Sequence, residues 1–557
     1  MKKNKMKITA ATTGAILALS AFAGCGAKIA DDENTLEIYA TSAGYGIEWL
    51  YDLEKVFEKQ NPGCNVEITY DVGVELAENK IKSGPKVTTA DLFFSTEDWN
   101  TLVLSGSNGV AGYDCALEDL TAFIDEKNEN GESLRDKLTP ELIKSLSIET
   151  ETSKGSGEYE DRVYALPWAS AATGIVYNKD MFETRGWELP RTTNELIVLA
   201  DKVKDAGLIA FANESQTGYI GYLAQAMFAQ YAGAEEYDEF YSPVTEDDWK
   251  MYSADPSKAG EFYYGRLYSA EVMEQICCLD FGRMSEYVTQ DGYERAQGRL
   301  VSAQAAMAIN GDWFDNEMSV AIQGAREAGN NYTSGMMKTP VISALSDQLS
   351  YWEKLLPSHA TYTAAKAADG TETTETLKLC DELLAGLVDY VDGKTQELPS
   401  VTYAGTKIAA TAADAARVKA ARGVYNSLGS GHTIVVPAYA TAKEAAKKFI
   451  RLLYSDTGIE AFLTRTKGGI LPVKYDVTKW GGYSSATPLQ KDIYDIVESG
   501  SPIKFMDGLF YGLPRVPSGF YLYSRSNAKY ETPRQQVDKT SMEREAYIEF
   551  MKNLGLL

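Results

Sequence analysis

Residues 162–201 read RVYALPWASAATGIVYNKDMFETRGWELPRTTNELIVLAD, and this stretch decides the fold. A Pro-Trp pair leads into small residues, and the apolar run 174–177 that follows is typical of a buried strand. Thr192 and Glu195 have the spacing of a capping box, which predicts that a helix begins after Thr192. A strand followed by a capped helix indicates an α/β protein.

The region after residue 35 has the pattern of a second α/β unit. Residues 36–40 and 66–70 alternate as strands, and apolar residues at helical spacing lie between them from 47 to 57. Asn61-Pro62-Gly63 ends that helix. The pattern predicts a right-handed βαβ unit that opens a lobe with a mostly parallel sheet.

The order of these segments resembles the extracellular solute-binding proteins of bacterial ABC importers, in the sugar-binding family 1 that includes maltose-binding protein. Further matches are the helix end 57–63, the turn 310–313 and the segments 455–458 and 468–473. The resemblance implies a two-lobed α/β fold of the periplasmic-binding-protein type II. Its two mixed, mostly parallel sheets would be flanked by helices and joined by a hinge, which residues 162–201 would cross.

The resemblance also implies how the chain divides between the lobes. We expect residues 36–169 with 337–460 in lobe one, and residues 170–336 with 461–557 in lobe two. The Ala-rich segment 343–430 matches nothing in the family and predicts an atypical helical insertion in lobe one. A mature chain of 533 residues is long enough for two substantial lobes.

The N-terminus predicts an exported lipoprotein. Four lysines precede a mainly apolar stretch, 8–22, which is shorter than the ~20 residues of a membrane span. The sequence Ala23-Gly24-Cys25 resembles a bacterial lipobox, which implies that residues 1–24 are removed and Cys25 is lipidated. Residues 25–35 would then tether the protein to the outer face of the cytoplasmic membrane, which it would contact only through this anchor.

Charge limits the possible partners. The chain has 54 basic and 79 acidic residues, and its formal charge is −25. Residues 1–24 carry four lysines and no acid, so the mature charge is −25 − 4 = −29. Such a field repels nucleic acid and anionic headgroups, and we expect neither as a partner. Beyond Cys25 five cysteines remain, with no C-x-x-C, which does not indicate a disulfide framework.

The motifs indicate binding rather than catalysis. His359 and His432 are the only histidines, and no nucleotide-binding or nucleophile motif is present. We therefore expect no catalytic residue, no metal and no cofactor. A glycosidase needs only two suitably spaced carboxylates, which composition alone leaves open and the resemblance argues against.

The strongest candidate for ligand contact is Trp313. It follows the predicted strand 306–309 in a turn whose tryptophan, by the resemblance, stacks on sugar. Asp312 lies beside it. Trp168, where the chain first crosses between the lobes, would either form the floor of the cleft or pack against the hinge. The other candidates follow predicted strands, where open α/β sheets bind their ligands. They are Glu97, Asp98, Trp99, Ser42, Tyr45, Glu48, Asn213, Glu214 and Tyr219, with Arg515, Phe520 and Tyr521 as weaker ones.

Together these features predict a monomeric binding protein that captures a carbohydrate, an oligosaccharide, and delivers it to ABC permease subunits. Aromatic faces pack against the C–H faces of pyranose rings, which favours a sugar. Three alternatives remain: a non-sugar solute such as a peptide, polyamine or phosphodiester, a ligand-sensing module, and a surface glycoside hydrolase.

Overall fold

The computed structural model describes most of the chain between residues 33 and 553. The described ranges are 33–42, 44–71, 77–96, 99, 103, 113, 115–128, 130–152, 156, 158–215, 218–241, 245–362, 371–427, 432–467, 469–504 and 513–553. The calls on the signal peptide, Cys25, Glu97 and Asp98 lie outside the described residues. Within these ranges no helix combines the length and the apolar character that crossing a bilayer requires.

Strands and helices alternate along most of the described chain. The strands are β1 (Thr35–Thr41), β2 (Asn65–Asp71), β3 (Leu92–Ser95), β4 (Ser147–Glu151), β5 (Tyr159–Val163), β6 (Leu166–Pro167), β7 (Ala172–Asn178), β8 (Ile209–Phe211), β9 (Ala305–Gly311), β10 (Ser334–Met337), β11 (Ser400–Tyr403), β12 (Thr406–Ala409), β13 (Val424–Ser427), β14 (Thr433–Val435) and β15 (Ser501–Lys504). The helices of the first half are α1 (Glu48–Gln60), α2 (Ala77–Ser83), α3 (Thr121–Asp125), α4 (Leu134–Lys137), α5 (Pro140–Leu146), α6 (Lys179–Arg185), α7 (Thr193–Asp205), α8 (Tyr219–Ala232), α9 (Ala234–Phe240), α10 (Pro256–Ala259) and α11 (Glu261–Cys277). Those of the second half are α12 (Tyr293–Val301), α13 (Phe314–Glu317), α14 (Ser319–Glu327), α15 (Trp352–Leu355), α16 (Thr371–Val391), α17 (Ala412–Gly423), α18 (Lys443–Leu453), α19 (Asp456–Thr466), α20 (Pro488–Ser499), α21 (Pro533–Thr540) and α22 (Arg544–Asn553).

The first sheet has the strand order β2-β1-β3-β14-β6. β1 pairs in parallel with both β2 and β3, and α1 connects β1 to β2, as the βαβ pattern predicts. β14 runs antiparallel to β3 and to β6. The sheet is therefore mixed, and its late strand β14 lies between two strands from the first third of the chain.

The second sheet has the order β15-β13-β7-β9-β8, and β10 also pairs with β7. β7 lies at its centre and is antiparallel to β9, β10 and β13. The pairs β8-β9 and β13-β15 are parallel. Two mixed sheets flanked by helices confirm the predicted fold class, although antiparallel pairs are more frequent than the sequence indicated.

The helix predicted after Thr192 is α7, and Thr192 caps it. Thr192 Oγ1 accepts a hydrogen bond from the backbone N–H of Glu195 at 3.3 Å. The Glu195 carboxylate accepts from the backbone N–H of Arg191 at 2.7 Å, one residue before the position that a capping box uses. The apolar face of α7 is buried. The local sequence thus fixes both the start and the orientation of this helix.

The segment 343–430 is helical around α16 and α17, with a hairpin of β11 and β12 between them. It packs beside α7: Asn194 Nδ2 donates to Asp381 at 2.6 Å, and Arg191 forms an ion pair with Asp389. The sequence led us to expect a return to the first lobe near residue 337. However, β10 and β13 both pair in the second sheet, and β14 is the first strand after β10 to join the first sheet.

Candidate functional site

Aromatic rings from both sheets meet where the chain passes between them. We call Tyr45, Trp168, Tyr219, Trp313 and His432 the junction cluster. The centroid of the Tyr45 ring lies 5.4 Å from that of Trp168, 5.8 Å from that of His432 and 6.4 Å from that of Trp313. The turn after β1 thus brings a ring from the first sheet against the turn after β9 in the second.

Trp313 contributes an indole ring from the second sheet to this cluster. Its ring is nearly parallel to that of His432, at an angle of 10° with 6.4 Å between centroids, and the Tyr219 ring lies 5.8 Å away. The indole folds back over Gly311, where an added Cβ would lie 2.2 Å from a ring atom, so this position requires glycine. The buried Nε1 of Trp313 makes no hydrogen bond of normal geometry within the described residues, although the Tyr219 hydroxyl is close.

Asp312 is the polar centre of the junction and has no exposed surface. One carboxylate oxygen accepts a hydrogen bond from the Tyr45 hydroxyl, and the other accepts from Ser170 Oγ at 2.7 Å. Its backbone N–H donates to the carbonyl of Ala172 at 3.0 Å. Burial raises the pKa of Asp312 to about 7, against the opposing effect of these donors. The group can therefore change between acceptor and donor near neutral pH.

Two glycines allow the turn after β1 to approach the turn after β9 closely. Gly44 and Gly46 have φ values of 80° and 72°, and the carbonyl of Ser42 accepts from the N–H groups of Tyr45 and Gly46. Asn316 Nδ2 donates to the carbonyl of Gly44 at 2.6 Å. A Cβ at Gly44 would lie 3.0 Å from both the carboxylate of Glu317 and Cβ of Trp313. Only glycine lets the first sheet's turn contact the second sheet's turn this closely.

Glu317 supplies a second carboxyl group beside the junction. It is partly buried on α13, and Gln297 Nε2 donates to it at 2.9 Å. Burial raises the pKa of Glu317 to about 7. Its charge in turn helps burial to raise the pKa of Tyr219. The junction thus holds two carboxyls that titrate near neutrality.

The segments that connect the sheets are hydrogen-bonded to one another. The backbone N–H of Trp168 donates to the carbonyl of His432 at 2.9 Å, and that of Ser170 donates to Ile470 at 2.6 Å. Ser427 Oγ donates to the carbonyl of Ser170 at 2.6 Å. Ala171 follows with a φ of 44°, a conformation that costs energy for any residue other than glycine. Hydrogen bonds therefore join the three segments that cross between the sheets, at Ser170, His432 and Ile470. We call these segments the strap.

The structure brings together five of the predicted site residues: Trp313, Asp312, Trp168, Tyr45 and Tyr219. Trp168 is fully buried, with its Nε1 donating to the Ser95 carbonyl at 2.9 Å, so it serves the strap and the first sheet's core as well. Glu214 is buried near Tyr219, whose pKa its charge helps to raise.

The remaining candidates are not part of the cluster, although Ser42 and Glu48 flank the turn that carries Tyr45. Trp99 is buried in a separate apolar cluster with Phe93, and Glu48 is exposed and accepts from the N–H of Ile47 at the start of α1. Asn213 Nδ2 donates to the carbonyl of Ile309, and Asn213 Oδ1 accepts from the N–H of Ile309, so this side chain holds β9 in place. Of the weaker candidates, Arg515 is exposed and Phe520 is buried, while the side chain of Tyr521 is outside the described residues.

Sequence reasoning missed Ser170, Glu317 and His432. His432 directly precedes the predicted strand that became β14, and Trp168 directly follows β6, with which β14 pairs in antiparallel. The place of His432, one of only two histidines, at the end of a predicted strand was a usable signal. Within the described residues no three His, Cys, Asp or Glu side chains are placed to hold a metal ion.

The sequence matches a known family over more than half of its length. Residues 39–460 match the bacterial extracellular solute-binding protein family, and the chain belongs to this family. Its members are binding proteins rather than enzymes, as the motifs indicated.

Individual relatives are distant. The diacetylchitobiose binding protein NgcE of Streptomyces coelicolor is 22% identical over 293 residues, 52% of this chain and 54% of that protein. A putative binding protein of Brucella abortus is 26% identical over 186 residues, 32% of this chain and 38% of that protein. The chain therefore spans about half or less of the length of the curated relatives it matches.

Solved structures align over nearly the whole chain. A chitin oligosaccharide binding protein has a TM-score of 0.52 at 17% identity and covers 92% of this chain and 98% of its own. An ABC substrate-binding protein from Listeria monocytogenes, in complex with cycloalternan, has a TM-score of 0.54 at 14% identity and covers 94% and 100%. At these identities the likeness establishes the fold.

Proposed function

We propose that this protein captures a carbohydrate, an oligosaccharide, between two lobes and delivers it to an ABC permease. The observation that carries the proposal is the meeting of Trp313 and Asp312 from the second sheet with Tyr45 and Trp168 from the first. Aromatic faces pack against pyranose rings, and a carboxylate orients their hydroxyls through charge-assisted bonds. Binding of diacetylchitobiose and of chitin oligosaccharides by similar proteins supports this ligand class.

Access to the junction requires the lobes to separate. We assign each sheet with its flanking helices to one lobe, and the strap of three crossings to the hinge. Trp313 is 4% exposed and Asp312 is fully buried, so a sugar reaches them only when the hinge opens. Closure around the sugar then shifts the equilibrium between open and closed forms. In this scheme a sugar hydroxyl replaces the Tyr45 hydroxyl on Asp312.

The proposal extends to the location of the protein. Cys25 would carry the lipid that holds the mature, monomeric chain at the outer face of the cytoplasmic membrane. The sugar-loaded closed form would dock on the permease, while ATP is hydrolysed by a separate cytoplasmic subunit. A Cys25→Ser variant should appear in the medium rather than in the membrane fraction; its retention in the membrane would contradict the anchor.

A thermal-shift panel tests the ligand class. The mature chain is melted with chito-, malto- and xylo-oligosaccharides, monosaccharides, peptides and polyamines. A true ligand at 100 times its Kd should add about 2.7 kcal/mol to the free energy of unfolding. A shift with a peptide or polyamine and with no sugar would show that the sugar assignment is wrong.

Trp313→Ala tests the site itself. We expect the Kd for the best sugar in the panel to rise about thirtyfold, or about 2 kcal/mol, because a central aromatic contact is lost. Isothermal titration measures the change. Trp249→Ala is the matched control, since Trp249 is a partly buried tryptophan outside the junction cluster, with Lys258 Nζ 5.3 Å from its ring centroid. Equal affinities for the Trp313 variant and the control would place Trp313 in the core alone.

A further inference from the structure

Arg266 is a buried cation outside the junction cluster. It lies in the middle of α11, and its side chain has no exposed surface. Nε donates to the Phe262 carbonyl at 3.3 Å and Nη2 donates to Ser541 Oγ at 3.4 Å, both at the long limit for such bonds. Nη1 is buried and has no hydrogen-bond partner among the described residues. Both N–H groups of Nη1 therefore lack an acceptor.

The charge of Arg266 is also uncompensated. Among the described residues no carboxylate forms an ion pair with it, and Asp538 acts on it only through its charge at longer range. One Asp538 oxygen is already bonded to the Tyr263 hydroxyl at 2.8 Å. Burial lowers the pKa of Arg266 to about 10. A buried charge without a partner is costly, which calls for an anion that the side chains do not supply.

Two other arginines with little exposed surface, Arg283 and Arg422, show the usual solution. Arg283 donates to both oxygens of Asp201 at 2.9 Å and to Gln275 as well. Arg422 donates to Asp392 at 3.0 Å and also to backbone carbonyls. Each guanidinium has a carboxylate that neutralises it. Arg266 is more deeply buried than either and has none.

Aromatic side chains surround the Arg266 guanidinium. The Phe240 ring lies 5.5 Å from Cζ, and Tyr241, Tyr252 and Tyr263 are close enough for their charge states to affect the pKa of Arg266. Tyr252 already donates to the Phe240 carbonyl at 2.6 Å, and Tyr263 donates to Asp538. Burial raises the pKa of Tyr241, so this phenol is neutral. The rings around the guanidinium therefore bring no negative charge to it.

We propose that Nη1 of Arg266 binds a small monovalent anion of the halide class, chloride under ordinary conditions. Such an ion accepts hydrogen bonds from both N–H groups of Nη1 and supplies the one negative charge that the guanidinium lacks. A water molecule would accept the hydrogen bonds but leave the charge unpaired. The site is separate from the sugar site, so it stands whichever ligand the junction takes.

The test is thermal unfolding of the mature, sugar-free chain in sodium chloride or sodium bromide against sodium gluconate, at one constant ionic strength. We expect Tm to rise with the logarithm of the chloride concentration, by about 1 °C for each tenfold increase above the dissociation constant, and not to respond to gluconate. The Arg266→Met variant should lose this response. The control Arg417→Met removes a cation of the same lobe that is bonded to carbonyls, and it should keep the response.

A crystallographic measurement covers the case in which Arg266→Met does not fold. Crystals of the unaltered protein soaked in bromide should show an anomalous peak within hydrogen-bond distance of Nη1. Equal Tm values in chloride and gluconate, or bromide-soaked crystals without that peak, would overturn the proposal. A chloride response that survives in Arg266→Met would overturn it as well, because the ion would then bind elsewhere.

Discussion

Asp312 and Asp347 are two aspartates that accept hydrogen bonds from tyrosine hydroxyls in the interior of the protein. Asp312 accepts from Tyr45. Asp347 accepts from Tyr231 at 3.0 Å and from Tyr268 at 3.2 Å. Burial raises the pKa of both carboxyls, to about 7 for Asp312 and to about 6 for Asp347. Chemically the two sites are close analogues.

The partners of the two aspartates come from different parts of the fold. Tyr45 follows β1 of the first sheet, whereas Asp312 follows β9 of the second, so the proposed separation of the lobes would break their bond. Tyr231 and Tyr268 lie on α8 and α11, which pack together beside the second sheet, so the proposed hinge motion would leave their bonds to Asp347 intact. Under that proposal the same kind of bond regulates conformation at the junction and supports stability away from it.

The largest effect that separates the two sites is expected for Asp347→Ala. Removing the carboxylate deletes three hydrogen bonds, those donated by the hydroxyls of Tyr231 and Tyr268 and by the N–H of Tyr362. The free energy of unfolding should fall by about 3 kcal/mol, measured in urea, with the Kd for sugar unchanged. Asp347→Asn keeps an acceptor and should lose less. Weakened sugar binding at normal stability would instead make Asp347 part of the closing mechanism.

The pH dependence of stability should separate the two sites next. Each carboxyl has a folded pKa above its unfolded value of about 3.9, so the folded chain binds the proton more tightly. Stability therefore falls as pH rises, up to pH 6 for Asp347 and up to pH 7 for Asp312. Between pH 6 and 7 the loss should be about 1 kcal/mol from each of Asp312 and Glu317.

Two variants with uncharged side chains show which carboxyl causes the loss of stability between pH 6 and 7. Urea denaturation at pH 6.0, 6.5, 7.0 and 7.5 should give a flatter curve for Asp312→Asn than for the unaltered chain. Asp347→Asn should keep the slope above pH 6 and flatten it only below. A slope above pH 6 that persists in Asp312→Asn and disappears in Asp347→Asn would reverse the assignment of the two carboxyls.

The sequence allowed local features to be predicted and left long-range ones out of reach. Thr192 and the apolar period after it predicted α7, because capping and amphipathicity act within one turn of helix. Trp313 was singled out because its turn after a predicted strand resembles the family's; the structure places it directly after β9, and its contact with a ligand stays a prediction. The bond between Tyr45 and Asp312 spans 267 residues, and no local pattern determines which turns meet across two sheets.

The insertion shows the same limit at the level of topology. Residues 343–430 were predicted to be helical, and α16 and α17 are helices. The sheet that this segment joins was not predictable. Its strand β13 enters the second sheet by pairing with β7 and β15, which are about 250 and 75 residues away in sequence. Periodicity in four residues identifies a strand but not its neighbours.

A matched pair of substitutions, Tyr45→Phe and Tyr231→Phe, gives the smallest and most specific test. Each removes one hydroxyl and keeps the ring, at about 1 kcal/mol per lost hydrogen bond. Tyr45→Phe leaves Asp312 short of a donor that a sugar hydroxyl can replace, so sugar affinity should increase about fivefold. The radius of gyration of the unliganded protein in X-ray scattering should also increase, because the closed form loses a bond between lobes. Tyr231→Phe should lower the unfolding free energy by the same amount with both of those properties unchanged. If the two variants behaved alike in scattering and in titration, the bond between Tyr45 and Asp312 would be as static as the one inside the second lobe, and the junction would not be the part of the molecule that opens.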